Sequence, residues 1–340
     1  MFCDLYFNMN FKITTSDPFN ILASTKLVMQ NAKFVKLNEA AVEKSVEWIG
    51  KYLKQHSDFP DHGHNLTGDF KTDAQLVFFE SMMGFCFWAL PGEPKWAVEM
   101  PDGKKVDGWY GVCAAFKRAY NEGVPVMDAN FLANAKESDV RNIFRSTLKA
   151  EIPLLDKRVA ILNENAQMLK RQFGGEAINL IEAADYDAVK LFDLLIKYFP
   201  SYKDTMVYNG QEVVFLKIAH LLAIDLEYRL TSNQKRPFLK NLNQLSVFAD
   251  YKLPQLLRMY GILEYENALS KIVDSYSVVP AGSPQEIEIR SGAVWAVELL
   301  RQKLPEYSSI QIGHVIWLNS QDQNLQKQIK PYHRTLTTFY

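Results

Sequence analysis

The segment Val159-Ala160-Ile161-Leu162-Asn163-Glu164-Asn165-Ala166-Gln167-Met168-Leu169-Lys170-Arg171-Gln172-Phe173, followed by Gly174-Gly175, decides the fold class. Its apolar residues recur at helical spacing, and the glycine pair supplies a residue that accepts the left-handed backbone of a helix end. Working outward, the same spacing predicts more helices. Val140, Ile143, Phe144 and Thr147 share a face after Ser138, which suits an N-cap. Leu191, Leu194, Leu195 and Tyr198 mark another helix, stopped at Phe199-Pro200. Others are expected around residues 213–230, 254–260 and 292–304, with Pro254 in the first turn of the second and Gly261 at its end. One region breaks the spacing. Between Trp96 and Trp109, the apolar Val98, Met100 and Val106 flank Pro101-Asp102-Gly103, the signal of a β-hairpin. The expected fold class is therefore mostly α with a small β-hairpin element. Residues 1–32 carry little periodicity and are expected to form a loose N-terminal extension. Residues 33–340 are left as the folded region, either one domain or two helical lobes.

Composition narrows the function. Of the 340 residues, 48% are hydrophobic and 23% charged, enough apolar material for a large core and too little charge for disorder. A formal net charge of -1 argues against a grip on duplex DNA or RNA, which takes a basic excess to displace counterions. A small-molecule substrate is favoured over nucleic acid. Cys3, Cys86 and Cys113 are too few and too scattered for a disulfide framework or a zinc site, and the latter two read as core thiols. The first residues lack a basic-then-apolar leader, and no apolar run approaches the roughly 20 residues that cross a bilayer. A cytoplasmic protein with no membrane partner is expected. Phosphate-cradling glycine loops, His-Glu-x-x-His and the nucleophile elbow are all absent.

Three segments carry candidate chemistry. Asp61-His62-Gly63-His64 brings two histidines close together, but no further ligands are identifiable nearby, so hydrogen bonding from a loop is the better reading than a metal. Leu245-Ser246-Val247-Phe248-Ala249-Asp250-Tyr251-Lys252-Leu253-Pro254-Gln255 places an acid and a base inside an apolar run. Asp250 lies four residues before Pro254, too far back for a simple N-cap of a helix starting there. Pattern alone favours a solvent-facing Asp at a helix joint. The other reading is a buried carboxylate, which is costly and asks for a function. Gln285-Glu286-Ile287-Glu288-Ile289-Arg290 alternates acids before an arginine, which predicts an internal ion-pair network that braces the fold.

These segments belong to a longer set of blocks. They include Gly84-Phe85-Cys86-Phe87-Trp88, Cys113-Ala114-Ala115 with Arg118-Ala119 and Glu122-Gly123, Asn142-Ile143-Phe144-Arg145-Ser146 and Pro153-Leu154-Leu155. Ile161-Leu162-Asn163-Glu164, Phe199-Pro200-Ser201-Tyr202, Phe248-Ala249-Asp250-Tyr251, Pro254-Gln255, Glu286 to Arg290 and Pro331-Tyr332-His333-Arg334 follow in order. Together they make the chain resemble the queuosine salvage proteins, the queuosine 5′-phosphate N-glycosylase/hydrolase family, from about residue 33 to the end. The resemblance implies a helical fold similar to helix-hairpin-helix DNA glycosylases, acting on a free nucleotide. It implies hydrolysis of queuosine 5′-monophosphate to queuine and ribose 5-phosphate, without metal or organic cofactor.

The resemblance also assigns residues. Asp250 matches the catalytic aspartate, whose charge stabilises or captures the oxocarbenium-like ribose as the C–N bond breaks. Phe248 matches an aromatic wall for the flat base. His64 matches a family histidine, with His62 the alternative, and Lys252 stands where arginine is common. Gly313, His314 and Leu318 fall where the family has an Asp-Tyr pair and a further Asp for base recognition, and Gly84 falls where it has asparagine. Asp322 or Glu306 could compensate by meeting the amine of the queuine side chain; otherwise that side chain is recognised more weakly, or a 7-deazaguanine nucleotide lacking the amine is favoured. Two other functions stay in view: a non-catalytic or altered-specificity 7-deazaguanine nucleotide-binding protein of the same fold, and a glycosylase acting on bases in DNA.

Overall fold

Helices account for 56% of the computed structural model, with small antiparallel sheets beside them. The structure describes residues 11–56, 67–100, 102–146, 148, 150–234 and 239–340. In chain order the first helices and strands are α1 (Ile21–Gln30), β1 (Val35–Leu37), α2 (Glu39–Gln55), α3 (Phe70–Ser81), β2 (Ala97–Glu99), β3 (Lys105–Asp107), α4 (Gly108–Asn121), α5 (Ala129–Leu132) and α6 (Glu137–Ile143). Next come α7 (Leu155–Phe173), α8 (Ala177–Ala183), α9 (Ala188–Tyr198), β4 (Thr205–Tyr208), β5 (Gln211–Val214) and α10 (Lys217–Gln234). The last are α11 (Lys252–Met259), β6 (Leu263–Tyr265), α12 (Asn267–Asp274), α13 (Pro284–Lys303), α14 (Ser309–Asn319) and α15 (Gln323–Gln326).

The chain gathers into two compact units, each built from separate stretches. The first takes the described residues of 1–59, 204–220 and 243–336. Its centre is α13, in which every residue from Glu286 to Leu300 is buried, so the helix has no polar face. Helices α1, α2, α11 and α14 pack against it. Residues 21–30, inside the expected loose extension, form α1 and bury Ile21, Leu22, Val28 and Met29. Strands β1 and β6 pair Lys36 with Glu264, and β4 and β5 form a hairpin. That hairpin turns at Asn209-Gly210, both with positive φ (50° and 80°), the pairing that a tight two-residue turn requires.

The second unit takes residues 60–203, 221–242 and 337–340 among those described. The helix over 159–173 is found as α7, extended back to Leu155 and ended by Gly174 at φ 64°. The expected hairpin is β2 paired with β3, Val98 opposite Val106. Ser138 is not the N-cap of α6. Lys136 is, because the Asp139 side chain accepts from its N–H at 2.8 Å, and Thr147 lies outside the described residues. Arg158 is fully buried here, donating to the carbonyls of Met83, Phe85 and Pro153, which ties α7 to the turn after α3. Cys86 and Cys113 are both buried thiols. Among the described residues, no helix is long and apolar enough to cross a membrane.

Candidate active site

The segment before α11 is apolar and buried. Leu245, Val247, Phe248 and Ala249 are all at most 4% exposed, and Asp250 sits among them at 7%. Asp250 is therefore not the solvent-facing acid that pattern favoured. Nor is it too far back to cap. The helix begins at Lys252, two residues before Pro254, and Asp250 Oδ1 accepts from the N–H of Lys252 (2.9 Å) and of Leu253 (3.0 Å). Those donors are among the orphans of a helix start, so the fold itself solvates one carboxylate oxygen. The other oxygen, Oδ2, has no hydrogen-bond partner among the described residues. Burial raises the Asp250 pKa above the usual carboxylate range, opposed by the Lys217 cation, the two N–H donors and the Lys252 cation. A carboxylate with one oxygen pinned and one open, in poor solvent, is built to meet positive charge.

Arg290 holds this segment from behind. Its Nε donates to the Ala249 carbonyl at 3.0 Å, and its other two nitrogens grip Asp204 at 2.8 and 2.5 Å. Arg290 and Asp204 are both fully buried, and the guanidinium lies 4.0 Å from the Phe215 ring centroid. Asp204 Oδ2 also accepts from the N–H of Lys217 at 3.1 Å, fixing the start of α10. Both terminal nitrogens of this arginine thus go to an acid from outside the alternating run. Glu288 instead accepts from the N–H groups of Lys33, Phe34 and Val35 and from the Tyr208 hydroxyl, while Glu286 takes the N–H of Gly282. Four of these five bonds come from backbone N–H groups. His333, fully buried, has its pKa lowered to about 3 by burial and then by the Arg290 charge, so it is neutral.

The other assigned residues divide by place. Phe248 is 4% exposed, and its carbonyl accepts from the N–H of Asp250 at 3.0 Å. Gly313, midway along α14, lies against the same segment: a Cβ there would stand 2.2 Å from Val247 Cγ2 and 3.8 Å from Phe248 Cε1. An acid at this position would drive into Val247. His314 and Leu318 are buried on α14, the histidine ring 6.0 Å from that of Trp317. Lys252 places its ammonium 5.1 Å from the Tyr332 ring centroid and 3.4 Å from Gln255, and Tyr251 packs on Tyr332 at 4.7 Å. Asp322 is exposed and caps α15, and Glu306 is exposed. His62 and His64 lie outside the described residues. Among the described residues, no group of three His, Cys, Asp or Glu side chains is placed to hold a metal ion.

Sequence reading missed Asp204 and Lys217. Asp204 follows the Phe199-to-Tyr202 block closely, and Lys217 interrupts the buried run Phe215-Leu216 and Ile218-Ala219. A charge in an apolar run, the signal that singled out Asp250, also marks Lys217, whereas Asp204 sits between Lys203 and Thr205 and carries no such signal.

Known proteins share this arrangement of sequence. A family model described as queuosine salvage protein matches residues 64–340. A queuosine 5′-phosphate N-glycosylase/hydrolase of Sphaerobacter thermophilus is 35% identical over 328 residues, covering 95% of this chain and 98% of the relative. Proteins of the same name from Bos taurus and Mus musculus are 31% and 29% identical, covering 93% and 95% of this chain and 97% and 99% of their own lengths. With a family model over most of its length, and a relative at that identity from end to end, this chain belongs to the queuosine salvage protein family.

Proposed function

We propose that the protein hydrolyses the N-glycosidic bond of queuosine 5′-phosphate, releasing queuine and ribose 5-phosphate, with Asp250 as the catalytic carboxylate. The carrying observation is the state of Asp250: buried, one oxygen held by two backbone N–H groups, the other without a hydrogen-bond partner among the described residues. As the bond from C1′ to the base nitrogen breaks, positive charge grows on the ribose. A carboxylate held in a poorly solvated site stabilises that charge more than water does. Its charge serves whether it bonds to C1′ transiently or steers water onto it. Water supplies the hydroxyl to C1′, and its proton ends on the departing base. Queuine lacks the purine N7, so its leaving charge must be met at its other edge atoms. Phe248 supplies a stacking face, worth about 1–3 kcal/mol for a base. His64 or His62, Lys252, His314 and Leu318 complete the substrate-binding set in this reading.

The reading extends to the whole chain. The region from residue 33 onward is of the helix-hairpin-helix glycosylase type, works without a cofactor, and acts in the cytoplasm on the free nucleotide rather than on nucleic acid. A net charge of -1 supports that last choice. Gly313 supports an altered mode of base recognition, since Val247 fills the space an acid would need. The test is incubation with queuosine 5′-phosphate followed by chromatography. Free queuine and ribose 5-phosphate are expected in equal amounts, and an unchanged nucleotide would overturn the proposal.

A further inference from the structure

The peptide unit joining Ala249 to Asp250 is held on both edges. Its carbonyl oxygen accepts from Arg290 Nε at 3.0 Å, and its N–H donates to the Phe248 carbonyl at 3.0 Å. A peptide is planar, so pinning both edges fixes where the Asp250 Cα leaves it. Past that Cα, the N–H groups of Lys252 and Leu253 fix Oδ1. One direction remains for Oδ2. Arg290 can be this anchor because its own position is over-determined: Asp204 takes both terminal nitrogens and cancels its charge, and the Phe215 ring lies 4.0 Å from its guanidinium. Nothing in a buried brace demands that the third donor reach a carbonyl adjoining the reactive acid.

We propose that Arg290 is a positioning residue for the glycosidic reaction, acting through the Ala249 carbonyl to aim the Asp250 carboxylate. The proposal rests on Asp250 being the catalytic acid. A lysine cannot reproduce the fork: one ammonium can stay with Asp204 but cannot also hold Ala249 in the same geometry. Misplacement of a reacting group by about 1 Å costs on the order of 100-fold in rate. Arg290→Lys is therefore expected to lower kcat at least about 30-fold with KM for queuosine 5′-phosphate within about 3-fold.

Val273→Ala serves as the comparison for lost stability. Val273 is buried on α12 and contributes no group to the site, so its variant is expected to melt earlier yet keep the wild-type kcat. If Arg290→Lys fails to fold, Asp204→Asn carries the test. It loosens the grip on Arg290 while leaving that residue in place, and kcat is expected to fall at least about 5-fold with KM unchanged. Folded Arg290→Lys or Asp204→Asn with wild-type kcat would overturn the proposal, as would a loss confined to KM. Asp250→Asn is measured alongside. If it keeps full turnover, the assignment of Asp250 has failed, which is a different result from an Arg290 variant that stays active while Asp250→Asn is dead.

Discussion

Gly313→Ala is a small change with a calculable consequence. The added Cβ would stand 2.2 Å from Val247 Cγ2, about 1.2 Å inside the 3.4 Å at which ordinary contact begins. Val247 is fully buried and β-branched, so it has few rotamers to retreat into. Relief must come from shifting the Val247–Phe248 segment or α14 itself. Alanine in a helix interior gains about 1 kcal/mol over glycine, whereas forcing a methyl into a packed core costs about 1–3 kcal/mol. The net expectation is a loss of up to about 2 kcal/mol. Phe248, whose ring edge lies 3.8 Å from the new atom, moves with the segment. Queuine affinity should then fall about 5-fold or more, equivalent to roughly 1 kcal/mol of stacking. Thermal melting and calorimetric titration with queuine measure the two effects. A raised melting temperature with unchanged affinity would refute the reasoning, because it would mean that helix propensity acts alone and that α14 does not press on the Phe248 segment.

Phe248→Ala should weaken queuine binding by about 5- to 150-fold, the span of 1–3 kcal/mol, with Phe248→Tyr close to wild type; equal affinities in a titration would rule out stacking. Burial raises the Asp250 pKa, so the acid limb of the kcat profile should lie above the ordinary aspartate value of about 3.9. Because that pKa is raised on folding, ionised Asp250 costs the fold stability as pH climbs through its folded value, and Asp250→Asn, which can still accept both N–H groups, should melt no lower than wild type at pH 7. His220 is pushed down to about 4, chiefly by burial. A histidine held neutral contributes stability above its unfolded value of about 6.5 and loses it as pH falls toward 4, which urea midpoints measured across that window should follow.

The helix and hairpin spacings were legible wherever an element shows one face to water. The helix ending at Gly174 was found because its polar positions alternate with buried ones at the right period, and the strands around Asp102-Gly103 because a turn signal separates them. Helix α13 was expected only from about 292. With Glu286, Glu288 and Arg290 as buried as Ile287 and Ile289, the helix has no polar face, and periodicity vanishes. The turn at Asn209-Gly210 did carry a signal, since that pair between short alternating strands is a strong local sign of a hairpin. Of the site, Asp250 and Lys252 stood out as interruptions of an apolar run, and Phe248 was named by the family resemblance. What sequence could not supply was pairing. Arg290 meets Asp204, 86 residues away. The role of Asp250 as a helix cap depended on α11 starting at Lys252, a boundary that Pro254 drew two residues late.

The role of Asp250 is read from single-turnover release of queuine from queuosine 5′-phosphate by wild-type protein and by Asp250→Asn, each first shown to be folded by its melting curve. The expected result is queuine and ribose 5-phosphate in equal amounts from wild type, and release at least about 100-fold slower from the variant, the lower end for loss of a charge-stabilising group. Release at the wild-type rate by folded Asp250→Asn would contradict the account.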